Sequence, residues 1–400
     1  MPSAAFSQPD ARHSGVRMAP RVACVQNGDF KSAQERMDAG LSEPYFGMRE
    51  SVRALSRLFA SRTGLIVSLD AGAYRIEREH LTLVSVGHPH AWVKIGRLKE
   101  AIRAHAIIAE LEAFRPTHVL LRTGGQLGLR IASWCAARHI PTMVLLANAV
   151  YGDNAYNERV NRQLMQVLND PAFVRVGNYK PTACASMVDY GLAPQKAVSF
   201  AFDGERQPSA LAPKQLGRDA SKTAPHIVFA ARMVLEKGPL ELIEAVRILR
   251  QRGIQAVATL YGDGPALDAV RERAKQLPDG AIHTPGQVDN AVLFEALRGA
   301  TFACVPSRST FVEGMPMALT EALAARTPVI ASNCPVFQRS FVDGEGVRIF
   351  QEQDPKRLAD VIVDALADDA AYARLSETTA DAFKRVSAQH SFTELLEGWG

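Results

Sequence analysis

Two series of short, continuously apolar segments, each followed by a helical stretch, set the tightest limit on how this chain folds. RVACVQ, GLIVSLD, LTLVSV, THVLLR and PTMVLLAN lie in the first half, and HIVFAAR, AVATLYG, ATFACVP and TPVIAS in the second. Strands that are apolar on both faces belong in parallel sheets covered by helices on both sides. The alternation stops and restarts, so the sequence predicts an α/β chain of two doubly wound, Rossmann-like domains. A length of 400 residues suits two such domains, each able to bury its own core. The break falls in SFAFDGERQPSALAPKQLGRDASKTAP, residues 199–225, which holds three prolines and has no periodicity. The expected division is a tail over 1–20, a first domain over 21–204, a linker over 205–225 and a second domain over 226–388. A C-terminal helix over 389–400 is expected to cross back to the first domain.

Composition narrows the class further. Hydrophobic residues make up 47% and charged residues 22%, an ordinary globular mix. The first 20 residues lack the apolar stretch of a signal peptide, and no apolar run approaches the roughly 20 residues of a membrane-spanning helix. Five dispersed cysteines with no C-x-x-C read as reduced, buried thiols of a cytoplasmic protein. Charge is uneven: residues 1–200 hold 24 Lys and Arg against 16 Asp and Glu, and residues 201–400 hold 22 against 26. A basic first half points to an acidic or membrane-surface partner there. No nucleic-acid signature accompanies it, so no nucleic-acid partner is expected.

The segment Glu313-Gly-Met-Pro-Met-Ala-Leu-Thr-Glu321 follows the strand ATFACVP and opens an alanine-rich helix. Pro316 fits the first turn of that helix. Gly314 lets the backbone approach a ligand closely. The N–H groups around Met315 and Met317, with the positive end of the helix behind them, suit a diphosphate or a cluster of sugar hydroxyls. Glu321, about a turn inside, can accept hydrogen bonds from a diol such as ribose. The plainer alternative is a capped helix with a solvated Glu321. The second segment is HIVFAARMVLEKG, where Arg232 and Lys237 follow a strand at the end where ligands of such sheets bind. Arg grips phosphate in a fork, and Lys supplies a compact charge. The alternative is a basic loop pairing with nearby carboxylates.

Taken together, these segments resemble the retaining, GT-B-fold glycosyltransferases of family 4, closely over the last half and only in layout over the first. The family's Gly-Arg-Leu…Glu-Lys-Gly segment stands here as Ala231-Arg232-Met233…Glu236-Lys237-Gly238. Its two glutamates separated by seven residues match Glu313 and Glu321. Its glycine loop matches LYGDGP, and its Gly-x-Val turn matches Gly286-Gln-Val288. The resemblance implies a GT-B fold, two Rossmann-like domains facing each other across a cleft. It implies a catalytic set of Arg232, Lys237 and Glu313, with Arg232 and Lys237 on the donor diphosphate. Glu313 would contact the transferred sugar, Glu321 the ribose, and the backbone near Val288 the base. It implies a nucleotide-sugar donor such as a UDP- or GDP-hexose, no cofactor, no metal, and a glycan, lipid-linked or small-molecule acceptor. Transfer would retain anomeric configuration without a covalent protein nucleophile.

The first half departs from the family pattern. Its first loop, Asn27-Gly28-Asp29-Phe30, has one glycine where many members are glycine-rich. Asn148 stands where many have a histidine, and an amide can hydrogen-bond a sugar hydroxyl but cannot act as a base. Gly28 and Asn148 are therefore the acceptor-side candidates. Gly124-Gly125 after THVLLR is either a ligand-approaching turn or an ordinary one. His88 and His90, without a third ligand nearby, read as surface loop residues. Arg49, Arg53 and Arg57 form a stripe beside an apolar face of Val52, Leu55, Leu58 and Phe59. That pattern fits a solvated helix face, or a basic helix that holds the protein peripherally on the inner face of an anionic membrane. A silent sugar-nucleotide binder and an epimerase or phosphorylase on the same fold remain the rival readings.

Overall fold

The computed structural model describes residues 20–41, 46–69, 72–87, 96–152, 154–216, 224–311, 314–397 and 399. The first lobe carries β1 (Arg21–Gln26), β2 (Thr63–Ser68), β3 (Tyr74–Glu77), β4 (Leu81–Ser85), β5 (His118–Arg122), β6 (Thr142–Leu146), β7 (Phe173–Tyr179) and β8 (Ala197–Ala201). The second carries β9 (His226–Ala230), β10 (Val257–Tyr261), β11 (Ile282–Gly286), β12 (Phe302–Val305), β13 (Val329–Ser332) and β14 (Val347–Phe350). A last strand, β15 (His390–Ser391), returns to the first sheet.

The first sheet runs β15-β8-β7-β6-β5-β1-β2-β4-β3 and the second β11-β10-β9-β12-β13-β14. Every pairing is parallel except β3 with β4. The uninterrupted apolar runs cause this. In β1, Val22 to Val25 are all fully buried, because helices cover both faces of the strand. This is the GT-B arrangement. Each sheet has one point where the order of connections reverses, between β1 and β5 in the first and between β9 and β12 in the second. Ligands of open α/β sheets bind at such points, beyond the carboxyl ends of the strands.

The chain end belongs to the first lobe. β15 pairs with β8, and the helix Phe392–Glu397 sends Phe392, Leu395 and Leu396 into a core with Leu55, Phe200 and Phe202. Thr393 donates through both its N–H and its hydroxyl to Asp203 Oδ2, at 3.2 and 2.5 Å. All five cysteines are buried and none is in a disulfide.

The arginine stripe lies on the helix Phe46–Phe59. Val52, Leu55, Leu58 and Phe59 are buried in the first-lobe core, so these four residues are not available to lipid. Arg49 and Arg53 both bond the buried carboxylate of Glu50, at 3.1 and 2.8 Å. Among the described residues no helix is long and apolar enough to cross a membrane.

Candidate functional site

At the second-lobe reversal point, the connection after β9 forms one wall. Arg232 follows the strand and is exposed, while the neighbouring Met233 is fully buried. Met233 N–H donates to Asp263 O at 2.9 Å, and its carbonyl accepts from Ala266 N at 2.8 Å. This close packing explains the glycine loop after β10. A Cβ at Gly262 would lie 1.9 Å from Ala231 O, and one at Gly264 2.5 Å from Met233 O. The loop also holds the Gly-x-Val turn, because Gly262 N–H donates to Gly286 O at 2.9 Å. Half-buried Val288 follows, just before the helix Asn290–Gly299.

Lys237 ends the short turn Leu235–Lys237, and Gly238 then adopts φ +75° to start the helix Pro239–Gln251. A Cβ at Gly238 would sit 2.3 Å from Pro306 O, so the connection after β12 lies directly against it. Two further contacts tie these walls together. Arg308 N–H donates to Glu236 O at 2.8 Å, and Lys237 Nζ lies 4.1 Å from the centroid of the Phe311 ring. Arg308 has a separate task, its guanidinium pairing with the buried Glu241 at 2.5 Å.

The connection after β12 leads to the helix Met317–Ala324. Pro316 is the residue before this helix, at φ −59° and ψ 128°, rather than part of its first turn as the sequence predicts. Its carbonyl accepts from Leu319 N–H, and no side chain caps the helix start. Met315 is buried beneath it. Glu313 lies outside the described residues. Gly314 is described, and a Cβ there would be 3.6 Å from both Ala147 O and Ala149 N of the first lobe. The two lobes therefore meet at Asn148.

Glu321 projects from this helix into a cavity of only about 20 Å³, bounded by Tyr179, Phe202, Arg206, Asn290 and Met317. That is room for about one water. Its Oε1 accepts from Asn290 Nδ2. Asn290 Oδ1 in turn accepts from Arg206 Nη1 at 2.8 Å, and Arg206 stacks 4.1 Å over Phe294. The adjoining Glu205 pairs with Lys180, which is fully buried at φ +70°. Burial pushes the Glu321 carboxyl above its ordinary range, against the hydrogen bond from Asn290 and the charge of Arg206. Burial depresses the Lys180 ammonium, and Glu205 opposes it. Tyr179 is pushed up by burial and by the carboxylates of Glu205 and Glu321. Lys180, Glu205, Arg206 and Asn290 are not legible as a group in the sequence, because they come from three separate segments.

In the first lobe, Gly28 turns the chain after β1 at φ +86° and Asp29 caps the next helix, accepting from Ser32 N–H at 3.3 Å. Asn27, rather than Gly28, lines the cavity beside it. Asn148 is exposed after β6, and its carbonyl accepts from the buried Asn178 at 2.9 Å. It faces a cavity of about 410 Å³ shared with Asn27, Arg122 and Thr123. Arg122 donates to Gln26 Oε1 at 2.7 Å and Ser51 Oγ at 2.8 Å. Among the described residues no three His, Cys, Asp or Glu side chains gather as a metal site. His88 and His90 lie outside those residues.

Comparison with known proteins bears on this geometry. Residues 215–381 match the family described as Glycosyl transferases group 1. The chain is 34% identical over 133 residues to phosphatidyl-myo-inositol mannosyltransferase of Mycolicibacterium smegmatis, covering 33% of each chain. It is 39% identical over 106 residues to the putative teichuronic acid biosynthesis glycosyltransferase TuaC of Bacillus subtilis, covering 26% of this chain and 24% of that one. The chain thus spans about a third or less of the length of these relatives. Anabaena HepE, solved with UDP and glucose, superposes with a TM-score of 0.62 at 14% identity, covering 95% of this chain and 97% of that one. That likeness is one of fold.

Proposed function

Starting from a chain whose second lobe matches the group 1 glycosyltransferases, we propose that it transfers a hexose from a nucleotide sugar, with retention of configuration. The observation that carries this reading is the convergence at the β9/β12 reversal point. There the Arg232–Lys237 loop lies against the connection that opens the helix Met317–Ala324. Arg232 and Lys237 hold the diphosphate, and the uncapped helix start adds its positive end. These charges stabilise the negative charge that develops as the C1–oxygen bond to the diphosphate breaks. The acceptor hydroxyl bonds to C1 from the same face, and its proton passes to the departing diphosphate. Glu313 contacts the transferred sugar, Glu321 the ribose, and the backbone at Val288 the base. No metal is needed, because cations and helix dipole share that role.

The acceptor, a glycan or lipid-linked molecule, enters from the first lobe beside Asn148. Residues 205–225 act as the linker between domains over 21–204 and 226–388. The cavity at Glu321 is too small for a ribose, so Asn290 and Arg206 move aside when donor enters. The protein works in the cytoplasm and contacts anionic membrane only through charge, since the apolar face of its arginine-bearing helix is in the core. The test is a panel of UDP- and GDP-hexoses, with the anomeric proton of the product followed by NMR. Retention with one donor is the expected result. Inversion, or no donor consumed by any acceptor or by water, would refute the reading.

A further inference from the structure

The first lobe has its own crevice at the β1/β5 reversal point, and its chemistry differs from that of a neutral sugar site. A second cavity of about 480 Å³ adjoins the one at Asn148, and the two share walls at Asn27, Thr123, Gly124, Gly125 and Asn157. Three cations line it, Arg97, Lys99 and Arg103, against one carboxylate, Glu100. Arg103 is the informative residue. Its Nε and Nη2 are buried and have no hydrogen-bond partner. Buried guanidinium donors left unmade are costly, so such a group is normally paired. In the neighbouring cavity the buried Nε of Arg122 is likewise unpartnered.

The backbone points the same way. The helix Gly125–Ala137 begins at this cavity with Gly124 at its N-cap and no side-chain cap. Gly125 takes φ +62°, and nothing lies within 4 Å of where its Cβ would be. The turn therefore presents open backbone at the positive end of a four-turn helix. Arg97 is carried to the same place, stacking 3.7 Å over Tyr156, whose hydroxyl bonds Gln126 in the first turn. An uncapped helix start, a glycine turn and the side chains of Arg97 and Arg103 lining one cavity suit a single anionic group.

We infer that the acceptor is anionic, and that its phosphate or carboxylate seats between Arg103, Arg97 and the Gly124-Gly125 turn. This rests on the glycosyltransferase reading. The cavity then continues to Asn148, where the second lobe makes contact through Gly314, so the acceptor's hydroxyl end is directed to the donor.

The full chain, with its donor site filled by nucleoside diphosphate, is titrated with inorganic phosphate by calorimetry. Wild-type chain should bind phosphate, and Arg103→Met should weaken that binding about tenfold or more, the worth of one charge-assisted hydrogen bond. Arg97 is exposed, so Arg97→Gln gives a folded variant that should also bind more weakly. Vesicles of phosphatidylcholine, with and without phosphatidic acid, locate the source. Recruitment by phosphatidic acid that both variants lose assigns the anion to a lipid headgroup; phosphate binding without recruitment assigns it to a soluble acceptor. Phosphate affinity equal in all three proteins, or no binding to phosphate or phosphatidic acid, overturns the inference. Nucleotide binding is read in the same experiments and fails separately, and phosphate titration of the variants remains decisive without it.

Discussion

Replacing Glu321 by glutamine should separate stability from binding. The carboxyl is held above its ordinary value of 4.5 by burial. A carboxyl with a raised folded pKa binds more protons folded than unfolded, so its contribution to stability is lost as pH rises from 4.5 through the folded value. At neutral pH the buried charge therefore costs stability. Glutamine is close to isosteric and keeps an oxygen to accept from Asn290 Nδ2, so that bond survives. Ligand-free Glu321→Gln should melt higher at pH 7, by about 2–4 °C for each kcal/mol recovered in lobes of this size. The difference should vanish below pH 4.5, where wild-type Glu321 is itself neutral. Binding should move the other way. A carboxylate accepts from two ribose hydroxyls, whereas the amide accepts with one oxygen and without charge. A hydrogen bond to a charged group is worth about 1.5–3 kcal/mol, so nucleoside diphosphate should bind about tenfold more weakly or worse. Scanning calorimetry reads the first effect and titration calorimetry the second. A mutant that melts lower and binds nucleotide like wild type would refute the reasoning.

Lys237→Ala should abolish sugar transfer while circular dichroism stays unchanged, since a partly exposed loop cation contributes little to stability; normal turnover at saturating donor would remove it from the site. Glu313→Gln should bind nucleoside diphosphate like wild type yet transfer sugar poorly, a split that titration and rate measurements together can check. Lys180→Met should cost about 3–5 kcal/mol by stranding Glu205, whereas the double change Lys180→Met with Glu205→Leu should recover most of it in urea melts. Anionic vesicles should sediment the protein at low salt and release it at high salt, because attraction by charge alone is screened; retention at high salt would require an apolar contact.

The strands that could be read ahead were those buried on both faces. RVACVQ and PTMVLLAN carry the signal themselves, because a parallel sheet demands unbroken apolar runs. β7 was not visible in this way. FVRVGNY is interrupted by Arg175, whose guanidinium donates to Leu395 O at 3.0 Å, and by Gly177 and Asn178. Its partner comes from the other end of the chain, which no local pattern can announce. β15 is two residues long and exists only because β8 offers an edge. The position of Pro316 shows the limit at single-residue scale: proline tolerates both the first turn and the residue before it, and only packing decides.

The candidate site divides in the same way. The Arg232–Lys237 loop and the helix after Gly314 were legible because each combines a strand end, a glycine and a charged side chain in one short segment. The enclosure of Glu321 was not. Arg206 sits in a stretch without periodicity, Asn290 looks like any helix start, and Lys180 precedes a proline at the start of the helix Lys180–Asp189. Only the fold brings them to one cavity. The unpartnered donors of Arg103 are equally silent in sequence, since an arginine on a helix is usually solvated.

The most direct test of the donor site is a crystal structure of the chain with nucleoside diphosphate bound. The diphosphate should lie between Arg232, Lys237 and the start of the helix Met317–Ala324, with the ribose on Glu321. Asn290 and Arg206 should have withdrawn from Glu321. Nucleotide seated in the first lobe at the Gly124-Gly125 turn, with the second-lobe crevice unchanged, would contradict the account.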